Sequence, residues 1–327
     1  MEQNHPKWRI SIDTGGTFTD CIAVSPAGET HRAKVLSNSR LRGVLTEKIG
    51  ERQFRFEHNW RIETDIFKGY DFALTGGSPA FSTQVESIDF QQNIIVVTRD
   101  VPNHPSSLIP HPFEITAHEE APILATRLVT LTPLDQPLPP LEMRLGTTKG
   151  TNALLEKKGA RTALLITKGF GDLLAIGTQQ RPHLFQLNIP PPTLLYDVVF
   201  EVNERLDASG VVLKPLKKKE LQRLASEVRI AGVQSVAVAF LHSWRNPAHE
   251  LAVKNALENA GLKFISLSHE LMPGIKILPR AQTAVVDAYL SPVLQEYLFQ
   301  VSISLGQKAD RWKSDAAGKI SFRNFPG

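Results

Sequence analysis

A chain of 327 residues that is 42% hydrophobic and 21% charged has the make-up of a globular protein with one large or two medium domains. Its single cysteine, Cys21, excludes an internal disulfide framework and any zinc site built on several thiolates, and it suits a reducing cytoplasm. A net charge of +4, no apolar signal-like start and no apolar run long enough for a bilayer leave neither nucleic acid nor a membrane as an expected partner.

Residues 7–37 predict three short antiparallel strands. Ile10 and Ile12 alternate with polar residues, the pair Gly15-Gly16 supplies a turn, 21–24 is apolar, and "SPAGET" turns the chain into a third strand. Leu41, Val44, Leu45 and Ile49 then stand at helical spacing, which predicts a helix over 39–51 with Ser39 as its cap. Residues 52–112 change character. Runs such as "WRIETDIF", "QVESIDF" and "NIIVVTRD" alternate with turn residues, and we read a small β-rich insertion. Helical spacing resumes over 118–131. From Leu141 the pattern is strand, loop, helix, strand, with a helix at 153–159 ended by Gly159. Amphipathic helices at 216–232, 246–261 and 280–300 alternate with the buried strands "SVAVAFL" and "KFISLS". Such alternation indicates an α/β architecture.

Two stretches carry chemistry. In "SIDTGGTFTD" glycines allow backbone N–H groups to converge on an anion, threonine hydroxyls add donors, and Asp13 stands where an acid can organise a magnesium ion. A hairpin turn and a phosphate cradle are compatible readings of these residues. The second stretch, "LGTTKGTNALLEKKGA", places Gly146, Thr147, Thr148, Thr151 and Asn152 between a strand and a helix start; it lacks P-loop spacing, and taken alone it reads more simply as a helix cap from Thr151 or Asn152. Arg181 in "IGTQQRPHLF" is a candidate grip for a substrate carboxylate or an ordinary surface arginine. His249 and Glu250 read as a helix first turn, His111 and His118 form no zinc motif, and Asp287 stays open.

"IDTGGTFTDCIA" followed by "LGTTKGTNALLEKKGARTALLITKGFGDLLAIGTQQRPHLF", with "VNERLDASG", "VAFLHSWRNPAHE" and "PRAQTAVVDAYLSPVL" in the same order, resembles the hydantoinase/oxoprolinase family, its 5-oxoprolinase branch above all. The resemblance implies a lobe of the actin/hexokinase/Hsp70 ATPase fold carrying a β-rich insertion. Asp13 would be the catalytic and magnesium-organising acid, and Gly15, Gly16, Thr17, Thr19 and Asp20 would wrap the phosphates. Thr148 and Asn152 would act in catalysis, and Gly146, Thr147, Thr151 and Arg181 would hold substrate. It implies ATP and magnesium, with potassium as a candidate second cation, for hydrolysis of a cyclic amide such as 5-oxoproline through phosphorylation of the amide oxygen. Hydantoin hydrolysis, a subunit of an ATP-dependent ketone carboxylase, and a non-catalytic assembly or binding protein are the alternatives.

The expected domains are 1–51 with 113–245 as the family's N-terminal domain, 52–112 as insertion, 246–300 as the start of the hydantoinase A domain, and 301–327 as a divergent tail. Similarity stops after about Phe299, short of the family's second phosphate loop and adenosine segment. The chain is therefore expected to be an incomplete lobe that works with a second chain or a further C-terminal half, as a homo- or hetero-oligomer. Residues Thr14–Thr17 and Gly146–Asn152 are expected to face one cleft.

Overall fold

Residues 8–14 place Ile10, Ile12 and Thr14 on one face and Arg9, Ser11 and Asp13 on the other, and this alternation makes them a strand, β1 (Trp8–Thr14). It pairs antiparallel with β2 (Phe18–Val24), which pairs with β3 (Thr30–Leu36), the three-stranded unit that the alternation predicts. The computed structural model describes residues 7–75, 81–101, 110–179, 192–306, 313–314 and 320–324. The chain separates into two units, Met1–Lys149 with Tyr297–Gly327, and Gly150–Glu296.

In the first unit the expected helix over 39–51 is a strand, β4 (Leu41–Lys48). Leu41, Gly43 and Leu45 are the buried positions, a period of two. Gly43 occupies the middle inward place because a Cβ there would stand 2.6 Å from the Phe113 ring. Ser39 is no helix cap; it takes φ 59° in the turn that joins β3 to β4, its amide donating to Leu36 O. With β5 (Gln53–His58), β6 (Asp71–Leu74), β7 (Ser82–Asp89), β8 (Ile94–Val97) and β9 (His111–Thr116), β4 closes an antiparallel barrel in the order β4-β5-β8-β7-β6-β9. The run 60–67 read as β-like is instead part of the β5–β6 connection, which sends Ile62, Ile66 and Phe67 inward. Phe54, Phe56, Phe67, Tyr70, Phe72 and Phe113 fill the barrel core.

Helix α1 (Ala121–Thr130) follows, with Ile123, Leu124 and Ala125 buried in the same core as Ile10, Ile12, Cys21 and Ala23 of the sheet. Strand β10 (Leu141–Thr147) then joins β1 in parallel.

Helix α2 (Lys149–Leu155) starts and ends earlier than its apolar residues suggest. Gly159 does not cap it; the residue is glycine because a Cβ would sit 2.1 Å from the Tyr289 ring. In the second unit β11 (Thr162–Thr167) is followed by the short α3 (Leu173–Ile176), β12 (Val198–Val202), the hairpin β13 (Arg205–Leu206) and β14 (Val212–Lys214), α4 (Lys218–Ala231), β15 (Ser235–Ala239), α5 (Ala248–Asn259), β16 (Phe264–Leu267), α6 (Ser268–Leu271) and α7 (Ile277–Ser304). The sheet order β12-β11-β15-β16 is fully parallel. Ala163 and Leu165 pack with α4 and α5, whereas Leu164 and Ile166 pack with α7, so β11 is buried on both faces. Each such leucine or isoleucine gains about 1.5–3 kcal/mol over exposure.

Helix α7 ends in the first unit, where Tyr297, Leu298 and Val301 join the core. Beyond it β17 (Lys313–Ser314) and β18 (Ile320–Asn324) complete a six-stranded sheet, β17-β18-β10-β1-β2-β3, with β18 antiparallel to β10. No helix among the described residues is long and apolar enough to cross a membrane.

Candidate functional site

The turn between β1 and β2 is a two-residue loop, Gly16-Thr17, closed by the Gly15 amide donating to Phe18 O at 2.9 Å. Glycine at 15 eases a close approach, since a Cβ would lie a tight 3.1 Å from Phe18 O. Behind the loop stands Ser37. Its amide donates to Thr17 O at 2.9 Å, and its hydroxyl donates to Gly15 O at 2.8 Å while lying 3.0 Å from Thr19 Oγ1. Two loop carbonyls are thereby turned back into the protein. Among the described residues nothing accepts from the Gly16 and Thr17 amides. A loop with its carbonyls tied back and its amides unspent suits an anion.

The register sets the surroundings. Asp13 lies opposite Asp20 on β2 and opposite Gly146 on β10, and Thr14 opposite Thr147. Asp13 is exposed, and among the described residues it has neither hydrogen bond nor ion pair. A Cβ on Gly146 would stand 3.6 Å from Asp13 Oδ1, so the glycine leaves that side of the carboxylate bare. Asp20 is also exposed, but Lys34 Nζ reaches both of its oxygens at 3.0 Å and also sits 4.9 Å above the Phe18 ring.

Other expected residues take supporting places. Thr19 is fully buried, which corrects the expectation that it wraps phosphate: its hydroxyl is spent on Ser37. Thr148 donates through both its amide and its hydroxyl to Thr14 O, at 2.9 and 3.2 Å, extending the β1–β10 pairing by one residue. Thr147 Oγ1 accepts from the Lys149 amide. Thr14 Oγ1 meets the Tyr297 hydroxyl at 3.3 Å, and burial pushes that phenol up to about 12. Gly146, Thr147 and Thr148 therefore lie beside Asp13 and Thr14. Thr151 and Asn152 lie on α2 in the second unit. Arg181 falls outside the described residues.

A second polar centre was not legible in the sequence. In the second unit Glu204 and Glu250, 1% and 0% exposed, sit just past the carboxyl ends of the parallel strands. Glu204 accepts from His249 Nδ1 at 2.7 Å and from the Thr167 hydroxyl, which itself accepts from the Leu241 amide. Glu250 accepts from the Phe240 amide, Ser268 Oγ and His269 Nδ1 at 2.9, 2.7 and 2.6 Å. Burial would push the Glu250 carboxyl up, but the His269, Phe240 and Ser268 hydrogen bonds outweigh it and hold the group below its ordinary range. Fully buried Arg280 lies 3.9 Å from Glu250 and donates to Ser243, Ser268 and Phe240 O. His249 and Glu250 do open α5, as their sequence position suggests; their burial among residues 10–45 positions away carries no local signature.

A family model described as the hydantoinase/oxoprolinase N-terminal region matches residues 9–62 and 135–261, leaving β6–β9 and α1 in the unmatched stretch. The chain is 40% identical over 181 residues to a 5-oxoprolinase of Dictyostelium discoideum and 42% identical over 175 residues to 5-oxoprolinase 1 of Arabidopsis thaliana. Each alignment covers 48% of this chain and 14% of the relative, so the matched part is about a seventh of those proteins. An acetophenone carboxylase gamma subunit of Aromatoleum aromaticum is 30% identical over 179 residues, 50% of this chain and 24% of that protein. The solved nucleotide-free acetone carboxylase superposes on 96% of this chain and 37% of its own at TM-score 0.57 with 16% identity, a likeness of fold alone. Because the matched residues make up more than half of the 327, this chain belongs to the hydantoinase/oxoprolinase family, through its N-terminal region.

Proposed function

We propose that the first unit is a phosphate-holding lobe of the actin/hexokinase/Hsp70 type in an ATP-dependent hydrolase of cyclic amides, with 5-oxoproline as substrate. The observation that carries this reading is Asp13, exposed and with a carboxylate unpaired among the described residues, beside a loop whose carbonyls Ser37 ties back. Family membership and relatives named 5-oxoprolinase support the substrate class.

An amide carbonyl is a poor electrophile, and phosphorylating its oxygen creates a leaving group that lets water open the ring. The Gly16 and Thr17 amides would hold the transferring phosphates. A lone exposed carboxylate of hard oxygen donors fits magnesium, which binds proteins through one or two carboxylates and keeps several waters. Asp13 would hold it, and the ion would offset phosphate charge. Gly146 would keep that carboxylate accessible, and Thr148 would fix the end of β1 that carries it.

Turnover is proposed to need residues beyond this chain, supplied by a further segment or a second subunit, because the matched relatives are much longer. A reducing compartment such as the cytoplasm suits Cys21, a buried thiol that desolvation pushes up to about 12.

The test is ADP release with magnesium and potassium, by this chain alone and joined to the remaining family segments. 5-Oxoproline, hydantoin, and acetone with bicarbonate serve as separate substrates. We expect 5-oxoproline-dependent release only from the joined form. Release driven by acetone and bicarbonate would move the reading to a carboxylase subunit, a function the acetophenone carboxylase relative makes a specific second possibility. No release with any substrate would leave a binding or assembly role.

A further inference from the structure

The barrel, β3 and the end of α1 in the first unit border an open cavity of about 650 Å³ that the phosphate loop does not use. That is the volume of an ordinary small-ligand site. Its lining combines half-buried rings, His58, Trp60 and Phe90, with the exposed cations Arg32 and Arg61 and one acid, Glu63. The rings are held before any ligand arrives. Trp60 Nε1 donates to Arg42 O at 2.7 Å, and the Trp60 amide donates to His58 Nδ1 at 3.1 Å, fixing that nitrogen as an acceptor. Ring centroids lie 5.0 Å apart for His58–Trp60 and 5.4 Å for His58–Phe90. Burial pulls the His58 imidazole below its ordinary value.

The arginines are the second observation. Elsewhere on the barrel strands and their approach, Arg40 and Arg42 share Glu114, Arg52 faces Glu86 and Asp100, and Arg55 faces Glu47. Among the described residues no carboxylate lies within ion-pair distance of Arg32 or Arg61. Among the described residues of the first unit Arg9 and Arg99 also lack an ion pair, but Arg32 and Arg61 are the ones that border the aromatic cleft. A guanidinium binds a carboxylate or phosphate bidentately, and aromatic walls accept a planar ring.

We propose that this cavity binds a small aromatic anion, a planar ring bearing a carboxylate or a phosphate. Half of the lining, including Phe90 and Glu63, lies in the stretch that the family model leaves unmatched, whereas Arg32, His58, Trp60 and Arg61 lie within the matched residues.

The test uses the full chain and two probes, 4-nitrobenzoate and 4-nitrophenyl phosphate, whose nitro groups quench tryptophan. Nitrobenzene is the uncharged control, and calorimetry reads binding independently of fluorescence. We expect one of the two anions to bind saturably, with a Kd of about 1 mM or tighter, and the better anion names the charged group. Arg32→Ala/Arg61→Ala should weaken it at least tenfold without changing the melting temperature, both side chains being exposed. Trp60→Phe should remove most of the quenching while calorimetric binding persists within threefold. Binding of neither anion, equal binding of nitrobenzene, or unchanged affinity in the double arginine variant would each overturn the proposal.

Discussion

One carboxylate site near strand ends in each unit makes a contrast. In the first, Asp13 stands exposed at a strand end with nothing of the described chain to answer it; in the second, Glu204 and Glu250 are buried and every contact is answered from within. A charge left open costs the fold little and remains available to a ligand, whereas a buried, saturated charge holds segments together. The lesson is that carboxylates near strand ends are not equivalent. What surrounds them decides whether they bind or brace.

The sharpest way to break this contrast is Glu250→Ala, which would strand Arg280, itself 0% exposed, without a counter-charge. Removing one partner of a buried pair costs about 3–5 kcal/mol, which urea unfolding would report. Acid tests the same group. Its folded-state pKa is depressed, so its stabilisation is complete above the ordinary carboxylate range and disappears as pH falls through the lower folded value. Wild type should therefore lose stability on acidification below about pH 4.5, the group's reference value, more steeply than Glu250→Gln. Equal slopes would argue that Glu250 is not a brace.

Smaller effects follow. Gly159→Ala would drive a methyl into the Tyr289 ring and should cost about 1–3 kcal/mol in the same unfolding assay. Ser37→Ala would leave Gly15 O without its hydroxyl donor and loosen the loop, at about 1–2 kcal/mol by thermal melting. At the foot of the scale, Lys34→Ala removes an exposed pair with Asp20 and should change stability by less than about 1 kcal/mol, with the difference vanishing in high salt.

The same contrast explains what could be read in advance. The β1–β2 hairpin was legible because strict alternation and a glycine turn are local features, and the parallel strands of the second unit because runs such as "SVAVAFL" are apolar throughout. Strand β4 was not, since Leu41, Val44, Leu45 and Ile49 fit a helix and nothing local shows that Gly43 is an inward position facing Phe113. Ser37 was missed for the same reason: its contacts lie about twenty residues away, at Gly15, Thr17 and Thr19. The cluster around Glu204 and Glu250 joins six segments by tertiary folding alone. Sequence pattern singled out Asp13, and only the structure brought out the burial and pairing of Glu204 and Glu250.

Magnesium-dependent nucleotide binding by Asp13→Asn tests the central claim most directly. Calorimetry of ATP binding, with and without magnesium, should show the wild-type chain gaining affinity from the metal. The variant should lose at least tenfold, about 1.4 kcal/mol, while its melting temperature stays put, because the acid is exposed and braces nothing among the described residues. Equal magnesium-dependent affinity in the two proteins would show that Asp13 and its loop are not the phosphate site.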